Sequence, residues 1–90
     1  MSVKINIPSY LQPFTNEQET VEVTGSTVGE CLHRLVEQFP ELGPKVFAQG
    51  GKLLDFVSIY LDGEFAYGDQ LDKAVRDSAE LHILYTLGGG

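Results

Sequence analysis

The chain has 90 residues, a formal charge of −7, one cysteine and no tryptophan. That length makes one domain with one modest hydrophobic core. The acidic balance excludes nucleic-acid binding, which needs a basic surface to displace phosphate counterions, and it opposes adsorption to an anionic membrane. Cys31 stands alone, so it forms neither an internal disulfide nor a metal cluster. No apolar run approaches the roughly 18 residues of a spanning helix, and the N-terminus lacks the basic and apolar regions of a signal peptide. A cytoplasmic location is therefore expected.

Val3, Ile5 and Ile7 alternate with Lys4 and Asn6, the period-2 pattern of a half-buried strand. Pro8 ends it by removing a backbone donor. Tyr10 to Gln18 reads as a connection, with Pro13 and Asn16 as turn formers. Val21 and Val23 share one face of a second strand, Glu19 to Thr24, and the pair predicts a hairpin. Gly25-Ser26-Thr27 marks a helix start. Thr27 and Glu30 have the spacing of a capping box, in which each side chain satisfies a free amide of the other's backbone. Val28, Leu32, Leu35, Val36 and Phe39 then form one apolar helical stripe. Cys31 lies on its flank and is read as a small core residue. Pro40 stops the helix. Leu42, Val46 and Phe47 are the packing residues of a short helical turn that follows.

Ala48 to Lys52 is a loop. Val57 to Leu61 is a strong strand, and Asp62-Gly63 is the signal for a type I′ hairpin turn. Glu64 to Tyr67 returns as a short strand. Leu71 to Val75 fits a short helix or 3-10 turn, and Asp77-Ser78 turns into a last strand, Glu80 to Leu84. If Val57, Ile59, Leu61, Leu81 and Ile83 face the helix, then Tyr60, His82 and Leu84 face outward, with Phe65 or Tyr67 beside them. Aromatic and apolar groups exposed in one patch predict a protein-binding surface. His33 is read as a solvated helix residue, and it forms no metal pair with His82. The order β-β-α-β-β-β with one amphipathic helix predicts a two-layer α+β domain.

The end of the chain, Tyr85-Thr86-Leu87-Gly88-Gly89-Gly90, follows directly on that last strand. Glycines offer no side chain for packing, and six extended residues reach about 20 Å from the body. A slim arm with a carboxylate at its tip suits insertion into another protein's active site. The division expected is a folded domain over 1–84 and a tail over 85–90.

In their order and spacing, four pieces resemble the ubiquitin-like sulfur carriers of the MoaD and ThiS group: the strand Val3–Ile7, the helix start Thr27-Val28-Gly29-Glu30 with Leu32 and Leu35, the strand and turn Ile59-Tyr60-Leu61-Asp62-Gly63, and the final Gly89-Gly90. The resemblance covers essentially the whole chain. The runs Ile5-x-Ile7-Pro8 and Gly51-Lys52-Leu53-x-x-Phe56-Val57-x-Ile59-Tyr60 are similar to the subgroup that serves bacterial cysteine biosynthesis. Gly88 departs from the pattern, since the family often has another small or polar residue there. If Gly88-Gly89 were the working pair, Gly90 would be trimmed first.

The resemblance implies a ubiquitin-like β-grasp, a mixed sheet whose first and last strands pair in parallel. It implies a protein co-substrate rather than an enzyme. A ubiquitin-activating-type partner would adenylate the carboxylate of Gly90, behind Gly89, using ATP and Mg²⁺ that the carrier itself does not bind. A sulfur donor would convert the acyl-adenylate to a thiocarboxylate. The acceptor in the cysteine branch is a pyridoxal phosphate cysteine synthase, and a zinc metalloprotease releases the product. Tyr60, His82, Leu84, Leu87 and Gly88 would then contact partners. Two alternatives use the same tail: a modifier joined to lysine side chains, and the small subunit of a molybdopterin synthase. The iron–sulfur β-grasp proteins are excluded, because they need four cysteine ligands.

Overall fold

The computed structural model describes residues 2–54, 57–65 and 70–85. The opening alternation becomes strand β1, Ser2–Asn6, with Val3 and Ile5 buried and Lys4 exposed between them. β2, Thr20–Thr24, repeats the pattern and pairs antiparallel with β1, Val3 opposite Val23 and Ile5 opposite Val21. The connection between them is a 3-10 turn, Ser9–Thr15, that buries Leu11 and Thr15. The buried Thr15 hydroxyl reaches the carbonyls of Gln12 and Gln18, so the turn has no orphaned side chain there.

Helix α1, Val28–Gln38, starts at Thr27, whose hydroxyl accepts from the Glu30 amide at 3.1 Å. The reciprocal half of the expected box is shifted by one residue. Glu30 accepts from the amide and the hydroxyl of Ser26, both at 2.8 Å, and not from the Thr27 amide. Ser26 presents both its amide and its hydroxyl to the carboxylate, and these bonds hold the Glu30 carboxyl below its usual range. Gly25 is required just before: a Cβ there would meet Cys31 Sγ at 2.9 Å and the Cys31 nitrogen at 3.1 Å. The helix start is also tied to the later chain, because Val28 donates to the Lys73 carbonyl and Val75 to that of Ser26.

Pro40 opens a 3-10 turn over Pro40–Leu42, which leads into the single turn α2, Gly43–Val46. Leu42 and Val46 are buried, as the sequence predicts. His33 is exposed on α1, and its ring stacks on Phe47 at 4.9 Å. The loop after α2 closes through a bridge between Phe47 and Leu53. β3, Val57–Leu61, β4, Glu64–Phe65, and β5, Ala79–Tyr85, complete the sheet. Of the longer strand expected up to Tyr67, Ala66 and Tyr67 lie outside the described residues.

The sheet order is β2-β1-β5-β3-β4. β1 and β5 pair in parallel at the middle, and every other pair is antiparallel. This is the ubiquitin-like β-grasp, with α1 packed across one face. Val3, Ile5, Ile59, Leu81 and Ile83 meet Val28, Leu32 and Leu35 in a single core that also takes in Cys31. Burying each such Val, Ile or Leu side chain contributes about 1.5–3 kcal/mol relative to leaving it in water. Burial pushes the Cys31 thiol up, with the Glu30 carboxylate adding to the effect. A thiol held protonated is a packing group rather than a nucleophile.

Candidate functional site

Antiparallel register decides what lies on the sheet's other face. In the β3–β5 pair, Ile59 stands opposite Ile83 and Tyr60 opposite His82, with Leu84 opposite Ser58. Residues directly opposite share a face, so Tyr60, His82, Ser58 and Leu84 form one outward surface. Tyr60 also stands opposite Phe65 of β4, and the two rings meet edge to face at 4.2 Å. Phe65 is 40% exposed. The structure thus brings together Tyr60, His82 and Leu84, and it adds Phe65 from the two residues offered as neighbours. Tyr67, the other, lies outside the described residues.

The hairpin that presents Tyr60 is fixed at its tip. Asp62 and Gly63 have φ of 51° and 87°, the double left-handed geometry of a type I′ turn. The Asp62 carboxylate accepts from the Glu80 amide at 3.0 Å and from Arg76 Nε at 3.2 Å, while the Asp62 amide donates to the Glu80 carbonyl. These bonds, the backbone amide first, hold the Asp62 carboxyl below the usual range. Among the described residues, β4 pairs with Tyr60 and Leu61 of β3. The Gln70 side chain accepts from the Ile59 amide at 3.0 Å.

His82 has a neighbour that sequence reasoning did not single out. Asn6 stands beside it in the parallel β1–β5 pair, with its amide nitrogen 3.3 Å from His82 Nε2 and 3.3 Å from the Leu81 carbonyl. Asn6 was visible as an outward position of the first strand. Its place next to His82 needed the parallel register, which no local pattern carries. The Glu80 carboxylate lies 3.9 Å from Nε2.

β5 brings the chain past this surface, and its last described residue, Tyr85, stands opposite Val57. Leu87, Gly88, Gly89 and Gly90, named from the sequence as site residues, lie outside the described residues.

A fold of this kind, with one outward face of aromatic and apolar side chains beside the last strand, defines a class of small ubiquitin-like proteins. The chain belongs to the ThiS family, whose model matches residues 5–90. It is 30% identical to the sulfur carrier protein CysO of Mycobacterium tuberculosis over 93 aligned positions, covering all of both chains. It is 35% identical to small archaeal modifier protein 1 of Haloferax volcanii over 71 positions, 78% of each chain. One chain of the Amycolatopsis orientalis BexX/CysO complex superposes with a TM-score of 0.88 at 27% identity, covering 98% of this chain and 99% of that one.

Proposed function

We propose that this chain is a sulfur carrier, a protein co-substrate whose terminal carboxylate on Gly90 is the reacting group. The family match carries the reading, because it runs through the glycines to residue 90. The full-length kinship to CysO supports cysteine as the product.

An α-carboxylate titrates at roughly 3.5 and is ionised at neutral pH. Held in line by an adenylating enzyme, a carboxylate oxygen attacks the α-phosphorus of ATP and pyrophosphate leaves. A hydrosulfide-class nucleophile then attacks the acyl carbon and AMP leaves, which gives the thiocarboxylate. Glycine at the end leaves that carbon unshielded, and most of the acceleration is positioning. The ionised thiocarboxylate is a soft nucleophile that a pyridoxal phosphate cysteine synthase would use, with a zinc metalloprotease releasing the product. ATP, Mg²⁺ and the other cofactors belong to those partners, and the exchange takes place in the cytoplasm.

The carrier's own contribution is to be recognised. Tyr60, His82 and Leu84 form the docking face, and Leu87 and Gly88 thread the approach to the partner's active site. A CysO chain crystallised in a complex with another protein supports docking of this kind. Intact mass of the protein purified from its own cells tests the reading. A fraction heavier by the difference between one sulfur and one oxygen is expected, and a carboxylate form alone under sulfur-replete growth refutes it. The kinship to a small archaeal modifier favours a second reading, conjugation of the same tail to lysine side chains. Isopeptide-linked adducts of higher mass, in place of the heavier free chain, would select it.

A further inference from the structure

We propose that His82 meets its protein partner as a neutral hydrogen-bond donor through Nδ1, in a tautomer set by Asn6, so that the partner must bring an oxygen acceptor to the centre of this face. The partner's identity rests on the carrier reading, whereas the tautomer does not.

The Leu81 carbonyl starts the argument. It can only accept, and the Asn6 amide nitrogen lies 3.3 Å from it. That contact fixes which way the Asn6 amide points. Reversing the amide would set two carbonyl oxygens against each other. The same NH₂ group lies 3.3 Å from His82 Nε2, and its second hydrogen is available for that contact. Nε2 must therefore accept. In a neutral imidazole the one ring proton then resides on Nδ1. Glu80, at 3.9 Å, is beyond hydrogen-bond distance of Nε2 and does not compete. No described residue accepts from Nδ1, the side chain is 43% exposed, and no buried side-chain nitrogen among the described residues lacks a partner. The Nδ1–H is accordingly open to whatever covers the face.

Its surroundings give that donor weight. Tyr60 stands across from His82 on β3, Phe65 lies beyond Tyr60, and Leu84 is two residues along β5. A partner that covers these groups excludes water from the ring. A hydrogen bond gains strength there, and a donor left unmatched becomes costly. A partner with a carbonyl or carboxylate over the ring is accepted, and one with a cation or an amide donor there is rejected. Asn6 is then a positioning residue, acting on the partner only through the imidazole.

Ring-nitrogen NMR on the full chain, above the pH range in which imidazoles titrate, tests the tautomer without any partner. His82 is expected to show a protonated Nδ1 and a bare Nε2, and Asn6→Ala to shift it toward the other tautomer while the His33 signals stay in place. A protonated Nε2 in the unmodified chain overturns the inference. The partner half is read by ATP–pyrophosphate exchange with a ubiquitin-activating-type enzyme from the same genome. Loss of one such hydrogen bond in His82→Ala should raise KM for the carrier about 10-fold with kcat little changed. His82→Asn, whose amide offers a donor near the Nδ1 position, should recover to within about 3-fold of the original KM. Equal KM for His82→Ala and the unmodified chain overturns the donor role. Absence of exchange with the unmodified chain refutes the carrier reading, and with it the partner half.

Discussion

Along β3, Val57 and Ile59 are buried under the helix, whereas Ser58 and Tyr60, one residue further each time, are half-buried on the opposite face. The same alternation runs through β5, where Leu81 and Ile83 are core and His82 and Leu84 are not. One face of the sheet is closed by α1 and satisfies itself. The other holds an aromatic pair, a histidine with a fixed hydrogen-bond neighbour and a leucine, with no second layer among the described residues. The comparison teaches that the strands do two jobs in alternate residues. The inward set holds the fold, and the outward set is free to specify a partner.

Substitutions on the two faces should therefore fail in different ways. The largest stability loss is expected inside. Leu81→Ala opens a cavity beneath α1 and should cost about 2–5 kcal/mol, read as a lower urea midpoint, with exchange activity retained in whatever fraction stays folded. Tyr60→Asp should do the reverse. It loses the edge contact with Phe65, worth about 0.5–1.5 kcal/mol, yet should raise KM for the carrier in the adenylation assay far more than it lowers Tm. A Tm drop as large as that of Leu81→Ala, with unchanged KM, would erase the distinction between the faces.

Two smaller effects lie away from both faces. Thr27→Ala should cost about 1 kcal/mol through loss of the helix cap and leave exchange by the folded protein intact; an unchanged urea midpoint would contradict the cap. The smallest is a pH effect at the hairpin tip. Asp62 has a depressed carboxyl pKa in the fold, because the Glu80 amide and Arg76 favour its charged form. Its contribution to stability is thus complete above the unfolded aspartate value of about 3.9 and is lost as pH falls through the folded value. Asp62→Asn should flatten the acid limb of the stability curve, and an unaltered limb would show that the clamp contributes nothing there.

Much of this architecture was legible because periodicity is a local signal. The two-residue alternation placed Tyr60, His82 and Leu84 outward, and a slip of one residue would have placed them in the core. The helix stripe, the Asp62-Gly63 turn and the burial of Cys31 were readable for the same reason. Three features were not, and each depends on contacts distant in sequence or on which donor wins. Glu30 turns to Ser26 because two donors converge there. Gln70 caps the Ile59 amide eleven positions away. Asn6 meets His82 across 76 positions, and only the parallel pairing of the first and last strands creates that contact. The glycines on which the function is proposed to depend were legible as composition alone, through the absence of any side chain to pack.

The central claim is that the terminal carboxylate is the reacting group and the folded body its handle. Deleting Gly89 and Gly90 tests it most directly. Both residues lie beyond every strand and helix of the described structure, so the shortened chain should keep its Tm. Its carboxylate would stop about 7 Å short of its place, where a misplacement of about 1 Å can already cost 10²-fold. ATP–pyrophosphate exchange with the adenylating enzyme should therefore vanish while the fold remains. A shortened chain that supports exchange at the full rate would contradict the account.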